Sequence, residues 1–365
     1  MSARIKLGVI YGGRSSEHEV SVVSAQAVLR EADSARFEAV PFGVTGEGHW
    51  LTPQESQMQL NQRIAPFQNR MSGDVPPLLH RPEVLDELRG MDVVFPLVHG
   101  VNGEDGTLQG MLEMFGIPYV GCGVAASAIG MDKALQKRLF ADAGIRVAKH
   151  LFVFENEWQR DGDSVVAAIE RLGYPVFVKP SNGGSSVGVS KARSREDLSE
   201  ALRVAFDMDR KAVIEETIVG RELECGVLGN ETVEVSGVGE VIPSGDFYDY
   251  RAKYLEDSAR LIAPAELPDA TVARVQAQAI AAFKAIDGEG FARVDFFLPE
   301  DGDPVIIEIN TLPGFTPISM FPRLWELAGV SYSALITRIV ELGRARAERE
   351  AKKDPSRARE GAING

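Results

Sequence analysis

Two apolar segments near the carboxyl end carry the side chains best suited to bind a metal ion and phosphate. The segments run from Ala292 to Phe297 and from Val305 to Asn310. Asp301-Gly302 lies between them, and a two-residue type I′ hairpin turn prefers this dipeptide. The sequence therefore predicts two antiparallel strands joined by a tight turn centred on Asp301-Gly302.

The predicted turn sets which residues of the two strands face each other. Asp295 lies opposite Glu308, and Arg293 lies opposite Asn310. Because side chains alternate faces along a strand, all four project from one face. The apolar side chains predicted to pack the opposite face are Val294, Phe296, Ile307 and Ile309.

The chemistry of this polar face favours a metal site. Two carboxylates and an amide oxygen suit Mg²⁺, which also binds phosphate oxygens. The planar guanidinium of Arg293 adds a fork of hydrogen-bond donors for phosphate. A solvent-facing polar surface with a cross-strand ion pair is the alternative interpretation, but four polar groups on such apolar strands favour the metal site.

A glycine-rich segment is a second candidate for phosphate binding. The predicted strand from Val176 to Lys179 ends in a lysine, and Ser181-Asn182-Gly183-Gly184-Ser185-Ser186-Val187-Gly188 follows. Glycines let backbone amides approach an anion, and Lys179 adds a positive charge. The segment is not a Walker A loop, because no Gly-Lys-Ser/Thr follows. A flexible hairpin tip, with a strand from Val187 to Ser190 after it, is the alternative.

Three further positions could contact a nucleotide. Lys133 opens a predicted helix after a glycine-rich turn and could contact a phosphate, although most surface lysines have no specific role. Glu215-Glu216-Thr217-Ile218 ends a predicted strand, and Glu222 follows closely. These groups could hydrogen-bond adenine and ribose, or they could be ordinary exposed groups at a strand edge.

The elements that must position these groups alternate between strands and helices. A continuous apolar run from Ile5 to Tyr11 predicts a buried strand, and a helical pattern from Val20 to Leu29 follows. This alternation predicts a parallel α/β unit in the first third of the chain. Residues 53–77 lack sustained periodicity and are predicted to be an inserted surface segment. A final helix from Tyr332 to Ala347 is predicted to precede a charged tail, residues 348–365, that is either a frayed helix end or a disordered extension.

Composition excludes several classes of function. The 365 residues include 39 Lys and Arg against 53 Asp and Glu, so the net charge is −14. Such an acidic chain is poorly suited to bind nucleic acid or an anionic membrane non-specifically. Its two cysteines, Cys122 and Cys225, are too few and too far apart for a disulfide framework or a zinc cluster. No apolar run approaches the ~18 residues of a membrane span, so we expect a cytoplasmic protein.

Taken together, these residues resemble the ATP-grasp enzymes and, within them, the D-alanine–D-alanine ligases. The resemblance extends from about Ile5 to Leu342 and rests on six motifs in the same order. Each motif alone is weak, but six in sequence are specific. The motifs are Gly12-Gly13-Arg14-Ser15-Ser16-Glu17-His18-Glu19-Val20-Ser21; Val98-His99-Gly100 with Gly103-Glu104-Asp105-Gly106-Thr107; Met131-Asp132-Lys133; Lys179-Pro180 with Gly184-Ser185-Ser186-Val187-Gly188; Phe247-Tyr248-Asp249-Tyr250-Arg251-Ala252-Lys253-Tyr254; and Glu308-Ile309-Asn310-Thr311-Leu312-Pro313-Gly314-Phe315-Thr316.

The resemblance implies an α/β protein with an ATP-grasp fold, α+β in its C-terminal part. A Rossmann-like domain would occupy residues 1–121, and two α+β subdomains, residues 122–219 and 220–347, would clasp the nucleotide. The implied reaction joins two D-alanines for peptidoglycan precursor synthesis, with D-alanyl phosphate as the intermediate and ADP and phosphate as products. A homodimer is the assembly that the family leads us to expect.

The resemblance also assigns roles at the nucleotide. Lys133 and Lys179 would contact the phosphates, beside Gly184, Ser185 and Ser186. The residues that would face the adenine are Glu215, Glu216 and Ile218, and Glu222 would face the ribose. The residues that would hold two Mg²⁺ or Mn²⁺ ions are Asp295, Glu308 and Asn310.

Further roles concern the reacting groups. Arg293 would stabilise charge on the transferring phosphoryl group and the tetrahedral intermediate, and Gly314 would donate a backbone N–H to the oxyanion. Glu19 would pair with the ammonium of the first D-alanine, and His99 would lie near that substrate. A long polar loop is predicted from Ser244 to Ala259. The residues that would link Glu19 to this loop and close the site are Ser185 and Tyr254. The residues that would contact the carboxylate of the second substrate are Ser319 and Met320.

Other functions are weighed against this one. Lys253-Tyr254 favours an amine acceptor, and a ligase that uses D-lactate or D-serine instead is the main alternative. A non-catalytic nucleotide-binding module is less consistent with the intact metal-site residues. A nicotinamide dehydrogenase, suggested by the opening strand and Gly12-Gly13, lacks the third, helix-starting glycine.

Overall fold

Three β-sheets organise the part of the chain that the computed structural model describes, namely residues 3–61, 81–242 and 260–353. The strands of the first sheet are β1 (Ile5–Gly12), β2 (Phe37–Val44) and β3 (Val93–Leu97). They are parallel, in the order β2-β1-β3. The helices of this part are α1 (His18–Glu31), α2 (Pro53–Asn61), α3 (Pro82–Arg89), α4 (Thr107–Met114) and α5 (Val124–Met131). The continuous apolar runs of β1 and β3 suit strands that are covered on both faces.

The second sheet is antiparallel and carries the glycine-rich segment. Its strands are β4 (His150–Phe154), β5 (Val176–Pro180), β6 (Ser190–Ala192) and β7 (Lys211–Glu216), in the order β4-β7-β5-β6. Its helices are α6 (Lys133–Asp142), α7 (Glu155–Arg160), α8 (Gly162–Glu170) and α9 (Arg195–Phe206). The strand predicted from Val187 to Ser190 begins only at Ser190, so the glycine-rich loop is longer than predicted.

The third sheet carries the polar residues near the carboxyl end. Its strands are β8 (Arg221–Gly229), β9 (Val233–Ile242), β10 (Arg260–Ile262), β11 (Gly290–Leu298) and β12 (Val305–Asn310), in the order β10-β9-β8-β11-β12. Its helices are α10 (Asp269–Ala285), α11 (Met320–Leu327) and α12 (Tyr332–Ala351). No helix in the three described ranges is long and apolar enough to cross a membrane.

An aromatic cluster joins the first sheet to the third. Phe95 of β3 lies 5.9 Å from Phe291 of β11 and 5.3 Å from Phe315, measured between ring centroids. Phe321 of α11 contacts the same rings, and all four side chains are almost fully buried. Aromatic pairs of this kind stabilise a fold by more than the burial of their apolar area alone. The two sheets therefore share one core, while the boundaries 1–121, 122–219 and 220–347 stay a prediction.

The predicted inserted surface segment, residues 53–77, begins with helix α2 (Pro53–Asn61), which its lack of sustained periodicity did not indicate. The Thr52 backbone N–H donates to the Glu55 carboxylate at 2.7 Å, and the Glu55 N–H donates back to the Thr52 hydroxyl at 3.3 Å. This reciprocal cap starts the helix, because it satisfies donors that a first turn leaves open. Residues 62–77 lie outside the described ranges.

The final helix is longer than predicted, because α12 extends to Ala351, four residues into the predicted tail. The Arg349 guanidinium donates two hydrogen bonds to Glu289, at 2.6 and 2.9 Å, and one to Glu231 at 2.7 Å. These ion pairs attach the end of the helix to the connections that precede β9 and β11. Residues 354–365 lie outside the described ranges.

Candidate active site

A cavity of about 500 Å³ lies between the second and third sheets. Its walls come from β5, β7 and the glycine-rich loop on one side and from β8, β9, β11 and β12 on the other. The predicted nucleotide and metal residues that line it are Lys133, Lys179, Gly184, Ser185, Ser186, Glu215, Glu216, Ile218, Glu222, Asp295 and Glu308. Asn310 lies beside it, in a small adjoining gap that Lys133 and Glu308 also line. The fold therefore brings residues from distant parts of the sequence to one cleft.

The pairing of β11 with β12 at the site is the predicted one. Asp295 pairs with Glu308, and Arg293 pairs with Asn310. On the opposite face, Val294 is completely buried in the core. The prediction that four polar groups share one face is confirmed.

The connection between these strands is not the predicted tight turn. β11 ends at Leu298 and β12 begins at Val305, so the connection is longer than two residues. The Gly302 N–H donates to the Pro299 carbonyl at 3.0 Å, which places Gly302 at the end of a β-turn rather than at its centre.

A β-bulge explains why the register is nevertheless right at the site. If the register of Asp295 and Glu308 continued, Phe296 would pair with Ile307. It pairs with Ile306 instead, so the register shifts by one residue. The extra residue of β12 reverses which side chain is buried. Ile306 therefore packs in the core, whereas Ile307, predicted to be there, is only half-buried and lines the cavity.

The charges of the paired strands neutralise one another. The Arg293 guanidinium donates two hydrogen bonds of 2.7 Å to Asp295 and lies 3.2 Å from the Glu224 carboxylate. The Asn310 amide donates to the same Asp295 carboxylate at 2.9 Å. Across the described ranges, no three His, Cys, Asp or Glu side chains cluster as metal ligands. The oxygen donors available to a cation are thus two carboxylates and one amide.

A buried glutamate that lines the cavity is shared by two lysines. Glu215 lies 2.9 Å from the Lys179 ammonium and 3.1 Å from that of Lys137, and all three side chains are largely buried. Burial would raise the pKa of Glu215, but the two lysines outweigh it and lower this pKa to about 2. Burial lowers the pKa of Lys137, although Glu215 opposes that effect.

Sequence reasoning missed Lys137. A signal was present, because Lys137 lies four residues after Lys133 in the predicted helix and so on the same helical face. Its partner Glu215 is distant in sequence, and only folding shows that the lysine points toward it.

Lys133 connects the glycine-rich loop to the third sheet. Its ammonium donates to the Gly183 carbonyl at 2.7 Å and lies 3.0 Å from the Glu308 carboxylate. In the same loop, Ser185 and Ser186 have positive φ values of 51° and 58°. This conformation is uncommon for residues other than glycine and marks a loop held in a specific shape.

The predicted link between Ser185 and Glu19 is wrong. The Ser185 hydroxyl donates to the Glu17 carboxylate instead. Glu17 is buried, and a Cβ atom on Gly184 or Gly100 would lie within about 3 Å of its carboxylate. The glycines therefore let this carboxylate approach the loop, while Glu19 lies two residues further on, in α1.

His99 is completely enclosed next to Glu17. Its ring nitrogens lie 3.0 Å from the Ser24 hydroxyl and 3.2 Å from the Leu312 carbonyl, and 3.4 Å separates Nδ1 from the Glu104 carboxylate. Burial would lower the pKa of His99, but Glu104 and the charge of Glu17 outweigh it and raise this pKa. His99 therefore sits in an acidic environment that favours its protonated form.

The remaining predicted residues have different surroundings. A Cβ atom on Gly314 would lie 3.0 Å from the Ser319 hydroxyl, which itself bonds to Thr316 at 2.7 Å. The side chain of Met320 is buried against Val241, so only its backbone, at the start of α11, could reach a ligand. The prediction that Met320 contacts the carboxylate of the second substrate stays a prediction. The predicted positions outside the described ranges are Lys253 and Tyr254.

Comparisons with known proteins point to one family. The chain matches the family model described as the D-ala D-ala ligase N-terminus over residues 6–122 and the one described as the C-terminus over residues 139–341. It is 49% identical to the D-alanine--D-alanine ligase of Geobacillus thermodenitrificans, with 93% of this chain and 95% of that protein covered. The corresponding ligase of Geobacillus kaustophilus is 48% identical, with 93% and 94% covered.

Solved structures agree with the sequence comparisons. The D-alanine-D-alanine ligase from Coxiella burnetii has a TM-score of 0.80 and 30% identity, with 96% of this chain and 98% of that chain covered. The VanG D-Ala:D-Ser ligase from Enterococcus faecalis has a TM-score of 0.78 and 33% identity, with 93% and 100% covered. The similarity thus extends over nearly the whole of each chain.

Proposed function

The chain belongs to the D-ala D-ala ligase family, and we propose that it joins two D-alanine molecules into D-alanyl-D-alanine at the expense of ATP. The first D-alanine carboxylate takes the γ-phosphoryl group of ATP, which releases ADP and leaves a D-alanyl phosphate. The amine of the second D-alanine then attacks the acyl carbon, and phosphate departs. The product is of use as a peptidoglycan precursor.

The convergence of opposite charges on one cavity carries this proposal. Lys133 and Lys179 lie on the side of the glycine-rich loop, and Asp295 and Glu308 lie on the facing strands. A carboxylate and a triphosphate repel each other, so their reaction needs cations on both sides of the transferring group. The two lysines supply positive charge on one side, and a divalent cation held by Asp295 and Glu308 would supply it on the other.

The lysines would exchange partners when nucleotide binds. Lys179 now pairs with Glu215, and Lys133 pairs with Glu308. A triphosphate carries more negative charge than either carboxylate, so it competes for both ammonium groups. Backbone N–H groups of the loop around Gly184 and Ser186 would add donors for phosphate oxygens. The residues that we place around adenine and ribose are Glu215, Glu216, Ile218 and Glu222.

The donor set of the paired strands fits a hard divalent cation. Asp295, Glu308 and Asn310 would supply oxygen ligands to Mg²⁺ or Mn²⁺, and two such ions is the number the family implies. When bound, these ions neutralise phosphate charge and orient the γ-phosphoryl group. Arg293, now bonded to Asp295, would turn its donor fork to the transferring phosphoryl oxygens.

We place Glu17, rather than Glu19, at the ammonium of the first D-alanine. Glu17 is the carboxylate that contacts the glycine-rich loop and influences His99. Gly314 would donate its N–H to the oxyanion, and the start of α11 at Ser319 would receive the carboxylate of the second substrate. The residues that we expect to close the site over both substrates and exclude water are Lys253 and Tyr254.

An assay of both products tests the proposal. The purified protein receives ATP, Mg²⁺ and D-alanine, and phosphate is measured together with dipeptide by mass spectrometry. We expect one phosphate per D-alanyl-D-alanine. Parallel reactions in which D-lactate or D-serine joins D-alanine distinguish the alternative acceptors, and phosphate release without dipeptide would refute the assigned synthesis.

A further inference from the structure

Asp132 lies where α6, the glycine-rich loop and β7 meet. It precedes the first residue of α6, and its carboxylate accepts hydrogen bonds from the N–H groups of Ala134 at 3.0 Å and Leu135 at 3.1 Å. Such a cap satisfies donors that the first helical turn leaves without partners. The same carboxylate makes further bonds that a helix cap does not need.

These further bonds lead to the glycine-rich loop and to β7. The Ser181 hydroxyl donates to one carboxylate oxygen of Asp132 at 2.7 Å, and the Lys211 ammonium donates to the other at 2.5 Å. Ser181 is the first residue after β5 and is completely buried, while Lys211 is the first residue of β7. One carboxylate thus joins the start of a helix, the start of a loop and the start of a strand.

Backbone bonds follow the same route. The Lys133 N–H donates to the Ser181 carbonyl at 2.9 Å, and the Ser181 N–H donates to the Lys211 carbonyl at 2.8 Å. Asp132 also forms an isolated β-bridge with Asn182. The two lysines that we assign to phosphates lie one residue after Asp132 and two residues before Ser181. The bonds of this carboxylate and the backbone bonds together hold the segments that carry the two lysines.

We propose that Asp132 is a positioning residue for nucleotide phosphate, which holds Lys133 and the glycine-rich loop in register. This inference deepens the proposed function and rests on it for the identity of the ligand. Both oxygens of Asp132 must accept while Lys211 faces one of them, because an amide would present N–H donors to the Lys211 ammonium. A shift of the loop against α6 would disturb the phosphate contacts of Lys133 and of the loop backbone, but would leave Glu216 and Ile218 on the adenine side in place.

Binding measurements on the full chain test the inference directly. In calorimetry with Mg²⁺, we expect Asp132→Asn to weaken ADP binding about tenfold. Adenosine, which has no phosphate, should bind within about twofold of the wild-type affinity. The double variant Asp132→Asn with Lys211→Met removes the clash of donors, so ADP affinity should return to within about threefold of wild type.

Asp161 provides a matched control. It caps α8 through a hydrogen bond from the Ser164 N–H at 3.2 Å and lies on the surface, outside the cavity. Asp161→Asn should leave ADP affinity within about twofold of wild type, whatever its effect on melting temperature. A general loss of stability in Asp132→Asn would instead weaken ADP and adenosine equally, which would overturn the inference.

The outcomes also separate this inference from the proposed function. If the wild-type protein makes dipeptide and Asp132→Asn binds ADP as wild type does, the positioning role is refuted and the proposed function stands. If no dipeptide forms but ADP binding depends on Asp132 as described, the ligase assignment fails and the positioning role stands.

Discussion

The charged pairs within the sheets lie on interior strands, whereas the contact between Glu17 and the glycine-rich loop joins two segments outside the sheets. Arg293 and Asp295 lie on β11, which has a neighbouring strand on each side, and Glu215 lies on β7, which is also an interior strand. The contact between Glu17 and Ser185 joins a turn before α1 to a loop residue in the left-handed conformation.

This difference implies two separate tasks. Interior strands hold charged groups in fixed positions, which suits the transfer of a phosphoryl group. One hydrogen bond between a turn and a loop can form and break, which suits the enclosure of substrates. Loss of a sheet-borne charge should therefore damage the chemical step or stability, and loss of the inter-unit contact should mainly affect the use of D-alanine.

Replacement of Arg293 by methionine should have the largest effect. The Arg293→Met change removes the guanidinium that binds Asp295 twice and lies near Glu224. We expect kcat for dipeptide formation to fall about 10³-fold, because the negative charge on the transferring phosphoryl group loses the guanidinium that would stabilise it by hydrogen bonds. Mass spectrometry of the dipeptide gives this rate.

Arg274 serves as the control for this variant. Its side chain is exposed and lies 3.4 Å from Asp303 on the surface. Arg274→Met should leave kcat within about twofold of wild type. Equal losses in the two variants would show that the sheet-borne position has no special importance.

Glu215→Gln should make stability depend less on pH. The pKa of Glu215 is about 2, below its ordinary value of 4.5, so its charge stabilises the fold above about pH 4.5. That contribution is lost as the pH falls from about 4.5 to about 2. The variant should therefore be less stable than wild type at pH 7, on the order of 3 kcal/mol, and the difference should shrink toward pH 2.

Urea unfolding of both proteins across this pH range measures the effect. Glu300→Gln is the control, because Glu300 is exposed in the connection between β11 and β12. Its stability should follow that of wild type at every pH. A constant difference between wild type and Glu215→Gln would mean that the two lysines do not hold Glu215 ionised.

Glu17→Gln and Glu19→Gln form a matched pair at the start of α1. Only Glu17 contacts Ser185 and carries a charge that raises the pKa of His99. We expect Glu17→Gln to lower kcat/KM for D-alanine about 10²-fold and Glu19→Gln to lower it less than about threefold. Initial rates at varied D-alanine concentration decide between them. The reverse order of effects would restore the original assignment to Glu19.

Ser185→Ala should have the smallest of the four effects. It removes the hydroxyl that donates to Glu17 but leaves the loop backbone and both lysines in place. We expect kcat/KM for D-alanine to fall about tenfold, with more than one phosphate released for each dipeptide. Simultaneous assay of both products measures this ratio. A ratio of one phosphate per dipeptide, with unchanged kcat/KM, would show that the contact between Ser185 and Glu17 has no role in closing the site.

The strand-borne half of the site could be predicted because its pattern is local. Alternation with a period of two places Asp295 and Glu308 on one face once they are paired, whatever connects the strands. The predicted turn at Asp301-Gly302 was wrong, yet the β-bulge next to Asp295 produced the same register. The bulge could not be foreseen, because its position depends on how Ile306 packs into the core.

The other half depends on contacts between distant residues. Ser185 and Glu17 are 168 positions apart, and no local pattern tells which of Glu17, just before α1, and Glu19, in its first turn, meets the loop. Lys137 and Asp132 likewise acquire their partners only when α6 packs against the second sheet.

Residue order alone thus indicated the ligase family and the acidic strand pair and predicted lysines for phosphate, because side-chain periodicity and motif spacing are properties of the chain itself. Which carboxylate meets the loop, which lysine is buried and where the strand register shifts were decided by packing. Each of these depends on the free energy of bringing together surfaces that are far apart in the chain, and a local pattern contains no record of that energy.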